Sequence, residues 1–140
     1  MDSVSPTSIS NNHKLYFSKS ELSKLSINTI AIMSNDVTQY PDDSYENMKL
    51  FAKNYDFKFP YLFDESQNVA KEYGAVCTPD IFGFNSKNLL CYRGRIDSAV
   101  MKSDNQKIDR ELYNAMVKIK NDGIGPDKQL NSFGCSIKWK

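Results

Sequence analysis

The chain has 140 residues, 40% of them hydrophobic and 25% charged, with a formal net charge of +1. That length makes one domain the expectation and leaves no room for two independent cores. A charge balance so near neutral creates no field that would gather nucleic acid or an anionic membrane, and no segment approaches the roughly 18 apolar residues of a membrane span.

The opening MDSVSPTSISNN lacks the basic start and apolar stretch of a secretory signal, so the expected location is cytoplasmic. Its Ser-, Asn- and Thr-rich composition predicts a flexible leader over residues 1–12. From Asn28 to Met33 the run NTIAIM is apolar on both faces, which predicts a strand covered on both sides and halted by the polar turn Ser34-Asn35-Asp36. In DDSYENMKLFAKNYDF, Asp43 stands three residues before Glu46, the spacing of a capping box. Tyr45, Met48, Phe51, Ala52 and Tyr55 then recur at helical spacing.

Phe57, Phe59, Tyr61 and Phe63 alternate with period two, which fits either the lining of a cleft or, more commonly, an extended segment with one face in the core. DESQNVAKEYG predicts a shorter helix, capped by Asp64 or Ser66 and closed by Gly74 in the left-handed conformation. DIFGF and LLCYRGRI, separated by Asn85-Ser86-Lys87-Asn88, predict an antiparallel hairpin. Arg93 and Arg95 alternate along its second strand beside Asp97, and read as a surface salt-bridge row. KIDRELYNAMVKIKNDG sets Ile108, Leu112, Ala115, Met116 and Ile119 on one helical stripe closed by Gly123. The order strand, helix, helix, strand, strand, helix predicts an α/β layer protein, in which one parallel strand and a hairpin share a helix-covered sheet.

Cys77, Cys91 and Cys135 form no CxxC pair, so neither a disulfide framework nor a zinc ribbon is suggested. Cys91 reads as a packing residue. His13 is the single histidine and has no partners at ligand spacing, so no metal and no cofactor is expected. In AVCTPDIFGF, Pro79 opens a strand just after a helix and a loop. The Thr78–Pro79 bond can be trans, the common state, or cis at a cost of only about 0.5–1 kcal/mol; cis would turn the Thr78 backbone outward to pair with an extended peptide.

IAIMSND, YPDDSYENMKLFAK, FPYLFDESQNVAKEYGAVCTPD, CYRGRID and the terminal GCSIKWK resemble the redoxin family of thioredoxin-fold proteins, in its peroxiredoxin-like branch, the alkyl hydroperoxide reductase/thiol-specific antioxidant domain. The resemblance implies an α/β thioredoxin-like fold with a central mixed sheet and flanking helices. It also implies a cis Pro79 opposite the redox site, and antioxidant or thiol-disulfide oxidoreductase chemistry. It divides the chain into the leader 1–12, a domain over 13–123 and a C-terminal tail over 124–140 packed on it.

The branch's redox motif, Cys-Asn-His-Cys-Pro-Tyr, is matched here by Asn11-Asn12-His13-Lys14-Leu15-Tyr16, so Asn11 and Lys14 stand where the two cysteines would be. The preceding strand is replaced by SVSPTSIS, and the following helix SKSELSKLS is short, so the first strand and active-site helix are expected to be degenerate. Disulfide exchange and peroxide reduction need a thiolate, which neither Asn nor Lys supplies.

The resemblance leaves Cys77, in the proline loop and close to Lys14 if the loops meet, as a stand-in nucleophile, with Cys135 of the tail as an accessory or resolving thiol. The plainer reading of Cys77 is a small buried side chain. Two functions stay open. One is an impaired redoxin acting on a peroxide or a protein thiol or disulfide; the other is a non-catalytic module that binds peptides at Thr78 and Pro79.

Overall fold

The computed structural model describes residues 21–99 and 107–140. Residues 21–24 are helical and bury Leu22 in the core. β1 (Ala31–Met33) pairs in parallel with β2 (Tyr61–Phe63), in the register Ala31↔Tyr61 and Met33↔Phe63. The expected strand from Asn28 is thus shorter, and the period-two aromatics include a strand that the predicted order lacks. A parallel pair needs a crossover, and α1 (Tyr45–Asn54) supplies it.

The cap of α1 differs from the expected one. Pro41–Asp43 form a 3-10 turn, and Ser44 accepts from Asn47 N at 3.4 Å in the place foreseen for Asp43. Drawn into that turn, Asp43 is buried and accepts from Asn35 Nδ2 at 2.9 Å. Phe51 of α1 packs against Tyr55 and Phe57, and Phe57 against Phe59 and Tyr61, so the alternating aromatics gather under α1.

α2 (Asn68–Tyr73) begins at Gln67 and ends on Gly74, left-handed at φ 65° as expected. Asp64 caps it with both oxygens, accepting from Val69 N (3.3 Å) and Ala70 N (2.9 Å), while Ser66 Oγ accepts from Asn68 N. β3 (Cys77–Thr78) follows, then the hairpin of β4 (Ile81–Phe84) and β5 (Leu90–Gly94). The hairpin register skips Cys91, which bulges and directs Sγ to the carbonyls of Leu89 and Gly123.

α3 (Glu111–Asp122) ends on left-handed Gly123 and buries Leu112, Ala115, Met116 and Ile119 against Ile81, Tyr92 and Ile96. Ile108, expected on that stripe, precedes the helix and is exposed.

Among the described residues the ladders form three two-stranded pieces rather than one continuous sheet: β1–β2, β4–β5, and β3 with β6 (Cys135–Ser136). A cleft of about 530 Å³ opens between residues 25–30, β4 and α3. The expected degenerate first strand, and residues 18–20 of the helix expected to be short, fall outside the described residues.

Candidate functional site

The chain leaves α2 at Gly74, passes buried Ala75 and enters β3 at Cys77. The Thr78–Pro79 peptide bond is cis. Asp80 follows and is almost wholly buried, at 1% exposure, so its carboxylate must be met by donors. Oδ2 accepts from Val76 N at 3.2 Å and from Arg93 Nη2 at 3.1 Å. Oδ1 lies 2.9 Å from Ser132 Oγ, which is also 2.6 Å from Gly94 O, so the one hydroxyl proton serves two acceptors. Asp80 therefore ties the loop on both sides of Thr78–Pro79 to β5 and to the C-terminal tail.

Arg93 also donates to Gly74 O at 2.5 Å and stacks over Phe82. Arg95 binds Glu111 through Nε (2.9 Å) and Nη2 (2.6 Å). The two arginines thus serve different elements, and the predicted surface row is corrected: one of them neutralises a buried carboxylate.

Residues 124–140 run along two edges of the molecule. Gln129 Oε1 accepts from Arg93 N, Leu130 O accepts from Arg95 N, and Gln129 Nε2 donates to Cys91 O, which closes the outer side of β5. The chain then crosses to β3, where β6 pairs antiparallel in the register Cys77↔Ser136 and Thr78↔Cys135. Thr78 Oγ1 also donates to Cys135 O at 3.4 Å. The Thr78 backbone, expected to face an outside peptide, is thus covered by the chain's own tail.

The two candidate thiols are neighbours in this ladder but not partners. Successive side chains of a strand point to opposite faces, so Cys77 shares a face with Ser136, and Cys135 with Thr78. Cys77 is buried and its Sγ lies 3.7 Å from Pro79 O, whereas Cys135 is exposed; all three cysteines are thiols. The register thus disfavours a Cys77–Cys135 bridge. Asn11, His13 and Lys14 lie outside the described residues, and with them any effect of Lys14 on Cys77.

The tail ends in a polar hub that sequence reasoning took for a simple turn. Ser34, Asn35 and Asp36 are all buried. Asn35 Oδ1 accepts from Lys138 N at 2.9 Å, and Asp36 N donates to Lys138 O at 2.7 Å. Gln67, 1% exposed and left-handed at φ 64°, donates from Nε2 to Ser34 O and Lys138 O, both at 2.8 Å, and accepts from Lys140 N at 3.0 Å. Burial pushes the Asp43 carboxyl up, against the opposing effect of the Asn35 hydrogen bond; Asp42 adds to the rise and Lys138 opposes it.

Asp80 and Gln67 were not foreseen as site residues. The available signal was a charged residue at the mouth of an apolar strand, which must find partners when that strand is buried.

The AhpC/TSA family model matches residues 8–97. Among solved structures, the chain is similar to a hypothetical protein, SMc02350, from Sinorhizobium meliloti 1021, with 31% identity and a TM-score of 0.85 over 100% of this chain and 76% of that one. It is also similar to an uncharacterized conserved protein from Geobacillus kaustophilus, with 44% identity and a TM-score of 0.69 over 81% of this chain and 60% of that one. No curated protein matches. Among the described residues no helix is long and apolar enough to cross a membrane. With its element order and a family match over more than half its length, the chain is a thioredoxin-like α/β protein and belongs to the AhpC/TSA family.

Proposed function

We propose that this chain is a redoxin-type thiol protein impaired in the two-cysteine chemistry of its family, and that its working thiol is Cys135. Membership of the AhpC/TSA family implies thiol-dependent peroxidase or oxidoreductase-type function. Asn11 and Lys14 replace the two motif cysteines, so a resolving disulfide within that motif is not available.

The observation that carries the reading is the exposed position of Cys135 opposite Thr78, beside the proline loop, while Cys77 is buried. Oxidation follows thiolate character and access. The Cys135 thiolate attacks a small hydroperoxide; an S–O bond forms, the O–O bond breaks, and the thiol's proton leaves with the alcohol or water. One external thiol then converts the sulfenic acid to a mixed disulfide with loss of water. A second releases Cys135 and departs with the first as a disulfide.

Mass-spectrometric mapping of the full chain after mild peroxide tests this. Selective oxidation at Cys135, retained in Cys77→Ser and absent in Cys135→Ser, is the expected result. Selective oxidation at Cys77, or a Cys135 no faster than free cysteine, overturns it. A second reading, a non-catalytic peptide-binding module, draws on the extended strand already seated on β3. Inertness of all three thiols favours that one.

A further inference from the structure

The contacts of the last eight residues have the character of a latch. Ile137 N donates to Val76 O at 3.4 Å, and the register Cys77↔Ser136 makes Thr78 and Cys135 the next hydrogen-bonded pair. Gly134 lies so close to this edge that a Cβ there would stand 2.0 Å from Thr78 O. Ile137 is the single apolar anchor, buried with Ala70 and Ala75 under Phe82. Phe133 and Cys135 are exposed, and Trp139, 41% exposed, lies on the surface with Lys71 Nζ 5.8 Å from its ring centre. Little apolar surface is therefore lost when this segment lifts, and the Asp80, Arg93 and Gly74 contacts of the loop beneath do not depend on it.

We propose that residues 133–140 are a built-in competitor strand that closes the Val76–Thr78 edge, and that an extended polypeptide gains this edge only by displacing it. The occupant shows what such a partner needs: an extended backbone running antiparallel to β3, glycine against Thr78, and a branched aliphatic residue three positions later for the Ala70–Ala75 pocket. This holds whether or not Cys135 reacts with peroxide, so it stands apart from the thiol chemistry.

The test uses the full chain and a fluorescent peptide spanning the sequence of residues 132–140 with serine in place of its cysteine. Gly134→Ala forces the tail off Thr78 O without touching the core. Anisotropy titration is expected to show at least ten-fold tighter peptide binding to Gly134→Ala than to wild type. Amide exchange at Thr78, Ile137 and Lys138 is expected to quicken at least ten-fold while Leu112 and Ala115 stay unchanged. Equal peptide binding in both proteins overturns the proposal. Should the variant not fold, wild-type exchange decides: Thr78 and Lys138 must open with a weaker denaturant dependence than Ala115, and a shared dependence overturns it.

Discussion

Where α3 lies on the hairpin, the seam is made of side chains: Leu112, Met116 and Ile119 meet Ile81, Tyr92 and Ile96, all buried. Where the tail crosses β3 and the end of β1, the seam is made almost entirely of hydrogen bonds, with Ile137 as its one buried apolar anchor. Each buried aliphatic side chain contributes about 1.5–3 kcal/mol, whereas a hydrogen bond exchanged with water nets about 1 kcal/mol. The first seam holds the domain together. The second gives a position, and can be given up at lower cost.

That contrast can be broken first in the apolar seam. Met116→Ala is expected to lose about 2–5 kcal/mol in urea unfolding, with the α3 and β5 core amides losing protection while those of Thr78 and Lys138, which exchange by local opening, change much less. A loss below about 1 kcal/mol would deny that this cluster is the core. Asp80→Ala leaves Val76 N without this acceptor and Ser132 with Gly94 O alone, and is expected to cost about 2 kcal/mol; the half-exposed Arg93 turns to water, which limits the damage. Faster exchange at Val76, with the helix α3 amides lagging, is the signature to look for.

Tyr92→Phe sharpens the comparison inside the core. It removes the Oη donor 2.5 Å from Arg95 O and should cost about 1 kcal/mol, with the ring's packing kept. A loss as large as that of Met116→Ala would mean that the hydroxyl, not the ring, carries the site. Burial also drives the Tyr92 hydroxyl's pKa upward, so its phenolate should form at higher pH than that of free tyrosine in the alkaline absorbance titration of the folded protein.

The smallest effect expected is at the polar hub. The Asp43 carboxyl is raised in the folded state, chiefly by burial, so the stability linked to it is present below the unfolded carboxylate value and lost as pH rises through the higher folded one. Asp43→Asn escapes that loss. Its Tm relative to wild type should be highest near neutral pH and fall as the solution is acidified, an effect within about 1 kcal/mol. A difference that ignores pH would remove Asp43 ionisation from the account of the hub.

Features resting on a few adjacent residues were legible in the sequence. Gly74 and Gly123 both end helices in the left-handed conformation, because only glycine adopts it without a steric penalty. The hairpin and the apolar stripe of α3 follow from periodicity, apart from Ile108, which lies before the first helical turn. The site was half legible. The loop at Thr78–Pro79 was marked by its own residues, and its occupant was not, since β6 is two residues long and pairs across 57 positions between Thr78 and Cys135.

By itself the sequence determined the family, the glycine ends of α2 and α3 and the hairpin, since each is written in neighbouring residues. Only the tertiary structure decided that Ser34, Asn35, Asp36 and Gln67 are a buried receptor, that Asp80 is a junction and that Cys77 and Cys135 face apart. The physical reason is that a polar side chain's role is set by the partner that meets it on burial, and here those partners come from a tail up to about a hundred residues away in the chain.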